Sequence, residues 1–401
     1  MSRASANSSR GFTLIELLVS LALGMLVIGT AVQLFSNGMN ATFVVSQRAE
    51  MQQNLRSTGN LLNKDISLAG AGLPSGTGMA LATSALKPIY GWAPSCVAKN
   101  NCAPGNGIAY PCSSLVGPCI PTLYGLVPGF RLGITPPGSP APSDVITVVY
   151  TDSAFALNCY QVTSISATTV TLKVPAPLPP TCVLPPPLVA PQAVTDPVVG
   201  LTPGDVVLFQ GSVGGNTATA IAEVTTAAAN GGGVYTVTFL NGDPLNLNQS
   251  AAASGDLAQL AVVPPALPPP TTTATRILVT TYYLWMLPDP LGVGPGVPTL
   301  MRQVNGHTPI PVAENVVNLQ FTYDTYNATG TLLNATGDGG YSLGISFNLI
   351  RKINIAHLTM RSQVAGARSG LMTTNGYQSF DTQTSISARN LSYQNRYNLG
   401  P

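Results

Sequence analysis

Few side chains in this sequence have the types and spacing to carry chemistry. The first group is Gly11, Phe12 and Glu16, within Arg10-Gly11-Phe12-Thr13-Leu14-Ile15-Glu16-Leu17. Gly11 is a small residue at the junction of a polar, basic segment and an apolar one, the residue type a processing peptidase cuts beside. Glu16 is a carboxylate inside an apolar run, where an acidic charge costs about 2.5–3.5 kcal/mol on insertion scales and calls for a partner. The second group is Cys96, Cys102, Cys112, Cys119, Cys159 and Cys182, all between residues 96 and 182.

The cysteines lack any C-x-x-C pair, which argues against a zinc or dithiol redox site. An even number in a Pro/Gly-rich stretch downstream of an apolar segment points to disulfides in an oxidising compartment, the alternative being free buried thiols. Six cysteines permit 15 complete pairings; Cys96 with Cys102 and Cys112 with Cys119 is the expectation. The two histidines, His307 and His357, are fifty residues apart and form no metal-ligand pair. His357 falls in an alternating stretch and reads as a sheet residue. No G-x-S-x-G elbow or phosphate loop is present. Asp324–Gly340 is acidic and glycine-rich but lacks the spacing of a Ca²⁺ loop, and reads as a hairpin loop. No enzyme, cofactor or metal is expected.

Composition sets the frame for these residues. The chain has 401 residues, of which 45% are hydrophobic and only 8% charged, with 40 Gly and 35 Pro. Such a body is loop-rich and leans to β structure, with a surface of neutral polar groups. Of 17 basic side chains, Arg3 and Arg10 precede Gly11, leaving 15 against 15 acidic ones. A formally neutral body offers no concentrated basic surface, so nucleic-acid binding is not expected.

The elements that must position these groups begin at Phe12. From there to Phe35 the chain is predominantly apolar with Glu16 as its one ionisable group, and no further ionisable group appears before Arg48. A helix over 12–35 would be about 36 Å long, enough to span a bilayer. Basic residues before it predict a cytoplasmic N-terminus and an exported body. A secretory signal would place its small cleavage residue after the apolar stretch; here Gly11 comes first, so a cut would keep the hydrophobic helix. Val44, Met51, Leu55, Leu62 and Ile66 continue as one helical face, until Ala69-Gly70-Ala71-Gly72-Leu73-Pro74 ends the helix.

Beyond it, strands are expected at 145–150, 161–166, 168–174, 206–210, 218–224, 234–240 and 276–286, with Asn230-Gly231-Gly232-Gly233 as a hairpin turn between two of them. The eight prolines in 175–191 cannot sit inside a sheet and read as an extended connector, tethered by Cys182. A second proline cluster, Pro264–Pro270, reads as a loop. Further strands are expected over 300–306, which ends in a turn, and over 312–324 and 353–361, while 385–391 precedes a polar tail. The fold class is α+β: a long N-terminal transmembrane and amphipathic helix, then a β-rich, Pro/Gly-rich body. The divisions are 1–11 as leader, 12–73 as helix, 74–275 as a Cys- and Pro-rich elaboration and 276–401 as a β-rich C-terminal region.

The Arg10–Leu17 motif resembles the N-terminal signal of type IV prepilins and of type II secretion pseudopilins. The resemblance implies cleavage between Gly11 and Phe12 by prepilin peptidase, methylation of the new Phe12 amine, and pairing of Glu16 with the amine of a neighbouring subunit during assembly. A looser pattern over about 275–395 resembles the PilW group of minor pilins. It comprises Leu300-Met301-Arg302, Glu314-Asn315-Val316 leading to Tyr323-Asp324, and Arg389-Asn390-Leu391. The implied partners are other minor and major pilins, the inner-membrane assembly platform, a tip adhesin and membrane lipid. The implied location is the inner membrane, then the pilus on the cell surface. A pseudopilin is the alternative within the class, and a signal-anchored adhesin or ligand-binding protein the alternative outside it.

Overall fold

The computed structural model describes residues 13–74, 78–81, 122–131, 133–137, 139, 141–180, 182–184, 186–213, 216–245, 247–248, 255–261, 272–288, 296–327, 330–333, 347–363, 377–388 and 390–391. It is an α+β protein with one long apolar helix ahead of a β-rich body. Gly11, Phe12, Cys96, Cys102, Cys112, Cys119, Arg389 and the Pro264–Pro270 cluster lie outside the described residues.

Helix α1, Leu14–Ser67, is 54 residues long, about 81 Å at 1.5 Å per residue. The chain divides into two compact units within this helix. One holds residues 1–53 and 362–378, and the other residues 54–361 and 379–401. In the first unit the apolar side chains of α1 from Leu14 to Val45 are largely exposed. This helix is long and apolar enough to cross a membrane, and it fits a single-pass anchor.

The second unit is built on β11, Thr273–Leu287, a 15-residue strand whose residues are mostly buried. Its run of Ile, Leu, Val, Tyr and Trp suits a central strand covered on both faces. One edge pairs with β4 (Val145–Thr151), which pairs in turn with β3 (Leu126–Gly129). The other edge is shared: Thr273–Ile277 pair with β7 (Val206–Val213), and Thr280–Leu287 with β12 (Val297–Val304). Strand β8 (Asn216–Glu223) flanks β7, and β13 (Ile310–Glu314) flanks β12. Strands from both sides of residue 275 therefore share one sheet. Pro311 lies in the edge strand β13, a position where a missing N–H is tolerated.

A four-stranded sheet runs in the order β5 (Gln161–Ile165), β6 (Thr169–Lys173), β10 (Val234–Thr238), β9 (Thr226–Gly231). It covers a core of Phe155, Tyr160, Val170, Leu172, Val237 and Phe239 against Val207, Phe209, Ala220 and Ala274. Phe209 and Phe239 meet edge to face at 5.6 Å. The glycine turn at 231–233 closes a hairpin between β9 and β10, not between 218–224 and β10 as expected. Residues 216–223 pair with β7 instead, and the Ala-rich 226–231, weak in β-propensity, is drawn into the sheet by its pairing with β10.

A three-stranded sheet follows, β14 (Val316–Thr325), β15 (Ile350–Gln363) and β16 (Tyr377–Ser387). Asn315 turns the chain into it from β13 with φ at 60°, a left-handed conformation that asparagine tolerates better than most residues. Asp144 ties this sheet to the first. Its carboxylate accepts from Arg131 N at 2.7 Å and Phe321 N at 2.8 Å. Burial nevertheless pushes Asp144 up to about 6, against the pull of those two hydrogen bonds.

Candidate functional site

Thr13 and Glu16 form the described start of the helix. Thr13 Oγ1 donates to Glu16 Oε2 at 3.2 Å, and the Thr13 and Glu16 amides reach across to the opposite side chain at 3.4 Å each. This is a capping box, in which the N-cap hydroxyl and the carboxylate three residues on satisfy each other's amides. The S/T-x-x-E signal for this local partner is present in the sequence at Thr13 and Glu16, beside the external partner expected for the carboxylate. An anion here also meets the positive end of the helix dipole. The carboxylate is exposed together with Leu14, Ile15, Leu17 and Leu18, so another chain can reach it.

The other end of α1 lies in the second unit and is held by polar contacts. Asp65 Oδ2 accepts from Tyr282 Oη at 2.7 Å and from Arg302 Nε at 2.8 Å. The Asp65 side chain is almost wholly buried. Burial, together with the adjacent Asp65 charge, pushes the Tyr282 phenol far up. Burial alone would lower Arg302, but the hydrogen bond and charge of Asp65 hold it above its ordinary value. Leu62 and Ile66, on the same face of the helix, are fully buried. Just past the helix, Gly70 takes φ at 77°, and a Cβ there would lie 2.6 Å from Leu391. Asn390 Nδ2 donates to the Ser67 carbonyl at 3.4 Å, satisfying a helix-end acceptor.

Sequence reasoning missed Asp65, because a single acid beside an amphipathic stripe carries no mark of its partner. The signal for its partner was Leu300-Met301-Arg302. Three parts of the looser pattern thus have structural work: Arg302 clamps the helix, Asn315 turns the chain, and Asn390-Leu391 close the helix end.

Cys159 and Cys182 are disulfide-bonded, pinning the proline-rich segment to the turn at Leu157–Cys159. Beyond that segment the chain is fixed by Arg276, which donates to the carbonyls of Val199 and Gly200 at 2.9 Å and pairs with Asp152. His307 Nε2 lies 3.0 Å from Asp205 Oδ1. Burial acts to raise Asp205, but hydrogen bonds from His307 and Thr202 and the charges of Arg276 and His307 hold it below its ordinary value. His357 sits on β15 with Nδ1 2.8 Å from Asp381 Oδ2 on β16. No group of three metal-ligating side chains occurs among the described residues.

Residues 6–32 match a protein family described as the prokaryotic N-terminal methylation motif. No curated protein and no solved structure matches the chain. The matched segment contains Gly11, Phe12, Thr13 and Glu16 and the apolar first half of the helix. It supports a prepilin-type protein, a type IV pilin or pseudopilin, and points to a structural subunit rather than an enzyme. It implies processing by prepilin peptidase and assembly with other pilins.

Proposed function

We propose that this chain is a minor pilin of a type IV pilus, cut between Gly11 and Phe12 and methylated on Phe12, which primes or caps filament assembly. The observation that carries the reading is the order of parts within residues 6–32: basic leader, glycine, then an exposed apolar helix with one carboxylate. That order makes sense for a helix kept after cleavage and buried by partners. Glu16 then exchanges the weak hydrogen bonds of its capping box for the cationic amine of a neighbouring subunit. Charge-assisted bonds are the stronger kind, more so in an apolar bundle.

The PilW-like pattern supports the minor-pilin assignment, and the size of the body supports a place at the tip, where dense helical packing is not required. Before assembly the subunit rests in the inner membrane with its body outside the cytoplasm. The test is coexpression with a prepilin peptidase and intact-mass analysis. The mature chain is expected to lack residues 1–11 and carry one methyl group, while Gly11→Ala keeps its full length. A wild-type chain that stays uncut with active peptidase overturns the reading in favour of a plain signal anchor.

A further inference from the structure

At the end of β8 the Glu223 side chain is buried at 1% exposure. It faces a second carboxyl, Asp243, to which it is hydrogen-bonded. Two carboxyl groups can share a hydrogen bond only if one of them keeps a proton. Around the pair the described loop residues 240–245 and 247–248 are stapled to the strand. Glu223 Oε2 accepts from Leu245 N at 3.1 Å, and Asp243 accepts from Leu247 N at 2.6 Å and Asn248 N at 3.0 Å. Asn248 completes the join, accepting from Glu223 N at 2.8 Å and donating to Glu223 O at 2.7 Å. Leu245 and Leu247 are buried beneath the closed loop.

The neighbouring elements bring no counter-charge to this pair among the described residues. Gly306, in the turn after β12, packs so closely that a Cβ there would lie 2.1 Å from Glu223 Oε1. The next residue, His307, is engaged with Asp205 beside β7, and Arg276 on β11 with Asp152 and Asp205.

We infer that the proton shared by Glu223 and Asp243 latches the 240–248 loop to β8, so that the loop is held closed in acid and released as the surroundings turn alkaline. Losing the proton leaves the buried Glu223 charge beside the half-buried Asp243 charge, and opening lets water solvate both. Burial, followed by the Asp243 charge, raises Glu223 from 4.5 to about 8, and burial raises Asp243 as well. A carboxyl raised in the closed form makes closure strongest below its ordinary value, and the advantage is lost as pH climbs through the raised one. The window therefore runs from 4.5 to about 8, with no further change above it. This latch lies in the body and does not depend on the filament reading.

The test is peptide-resolved hydrogen exchange of the full chain in detergent micelles from acid to alkaline pH, corrected for intrinsic rates and referenced to β11. One proton released per opening makes the opening constant of 240–248 rise about tenfold per pH unit, then level off. Glu223→Gln and Asp243→Asn each keep a hydrogen bond without the charge conflict, and each is expected to flatten the profile. A flat wild-type profile, or the wild-type slope in both variants, overturns the latch. So does recovery of protection at alkaline pH on adding about 1 mM calcium, the affinity range of weak extracellular sites, since the pair would then be a cation site.

Discussion

The two ends of α1 solve opposite problems with the same device, an acidic side chain on a helix. Among the described residues, Glu16 is exposed, hydrogen-bonded within its own first turn, and flanked by exposed Leu and Ile. Asp65 is buried, and its partners, Tyr282 and Arg302, lie more than two hundred residues away on β11 and β12. One carboxylate is satisfied inside the chain and the other is held only loosely. The C-terminal turns of the helix are packed into the body, and the apolar side chains of the N-terminal half are exposed. A prepilin-type motif at that half names the kind of partner.

The largest effect is expected from breaking the buried end. Asp65→Ala leaves the half-buried Arg302 charge and the buried Tyr282 hydroxyl without their carboxylate, which is expected to cost about 3 kcal/mol, the low end for a broken buried pair. Denaturant unfolding of the full chain in detergent, followed through Trp285 on β11, reads this directly. The triple change Asp65→Leu, Arg302→Met and Tyr282→Phe replaces the cluster by packed apolar groups, leaves no hydroxyl unpaired, and is expected to recover most of the loss. If Asp65→Ala leaves the midpoint unmoved, the clamp does not hold the helix and the contrast between the two ends collapses.

Glu16→Ala probes the other end. Cleavage after Gly11 and the unfolding midpoint of the body are expected to stay as in the wild type, because the hydrogen bonds described for Glu16 lie within the first turn of α1. Incorporation into filaments is expected to fall by about tenfold or more, the scale of one charge-assisted hydrogen bond. Normal co-purification with pili would remove the assembly role from Glu16.

How far each end was legible follows from the distance over which its signal acts. The N-terminal motif is local, so a run of eight residues exposes both the cleavage site and the carboxylate. Strands such as β4 (VITVVYT) and β7 were legible because β-branched and aromatic residues run between turn signals. Strand β9 (TAAANG) was not, since alanine and glycine have little β-propensity and only the β10 partner makes it a strand. Asp65, Glu223 and Asp243 look in sequence like ordinary surface acids. Their meaning arises from burial beside residues far away in the chain, which no periodicity encodes.

The smallest effect separates the two roles that Glu16 combines. Thr13→Val removes the hydroxyl of the capping box while leaving the carboxylate in place. Losing an N-cap of this kind costs the helix about 1 kcal/mol, so amide exchange in the first turn is expected to quicken roughly fivefold. The body, in the second unit, should not respond. Incorporation into filaments then decides what the carboxylate is for. If Thr13→Val assembles nearly as well as the wild type while Glu16→Ala does not, the carboxylate acts through a partner outside the chain and its bond to Thr13 is a holding contact. If both variants lose incorporation equally, the cap itself is what assembly requires, and the two ends of the helix differ less than their burial suggests.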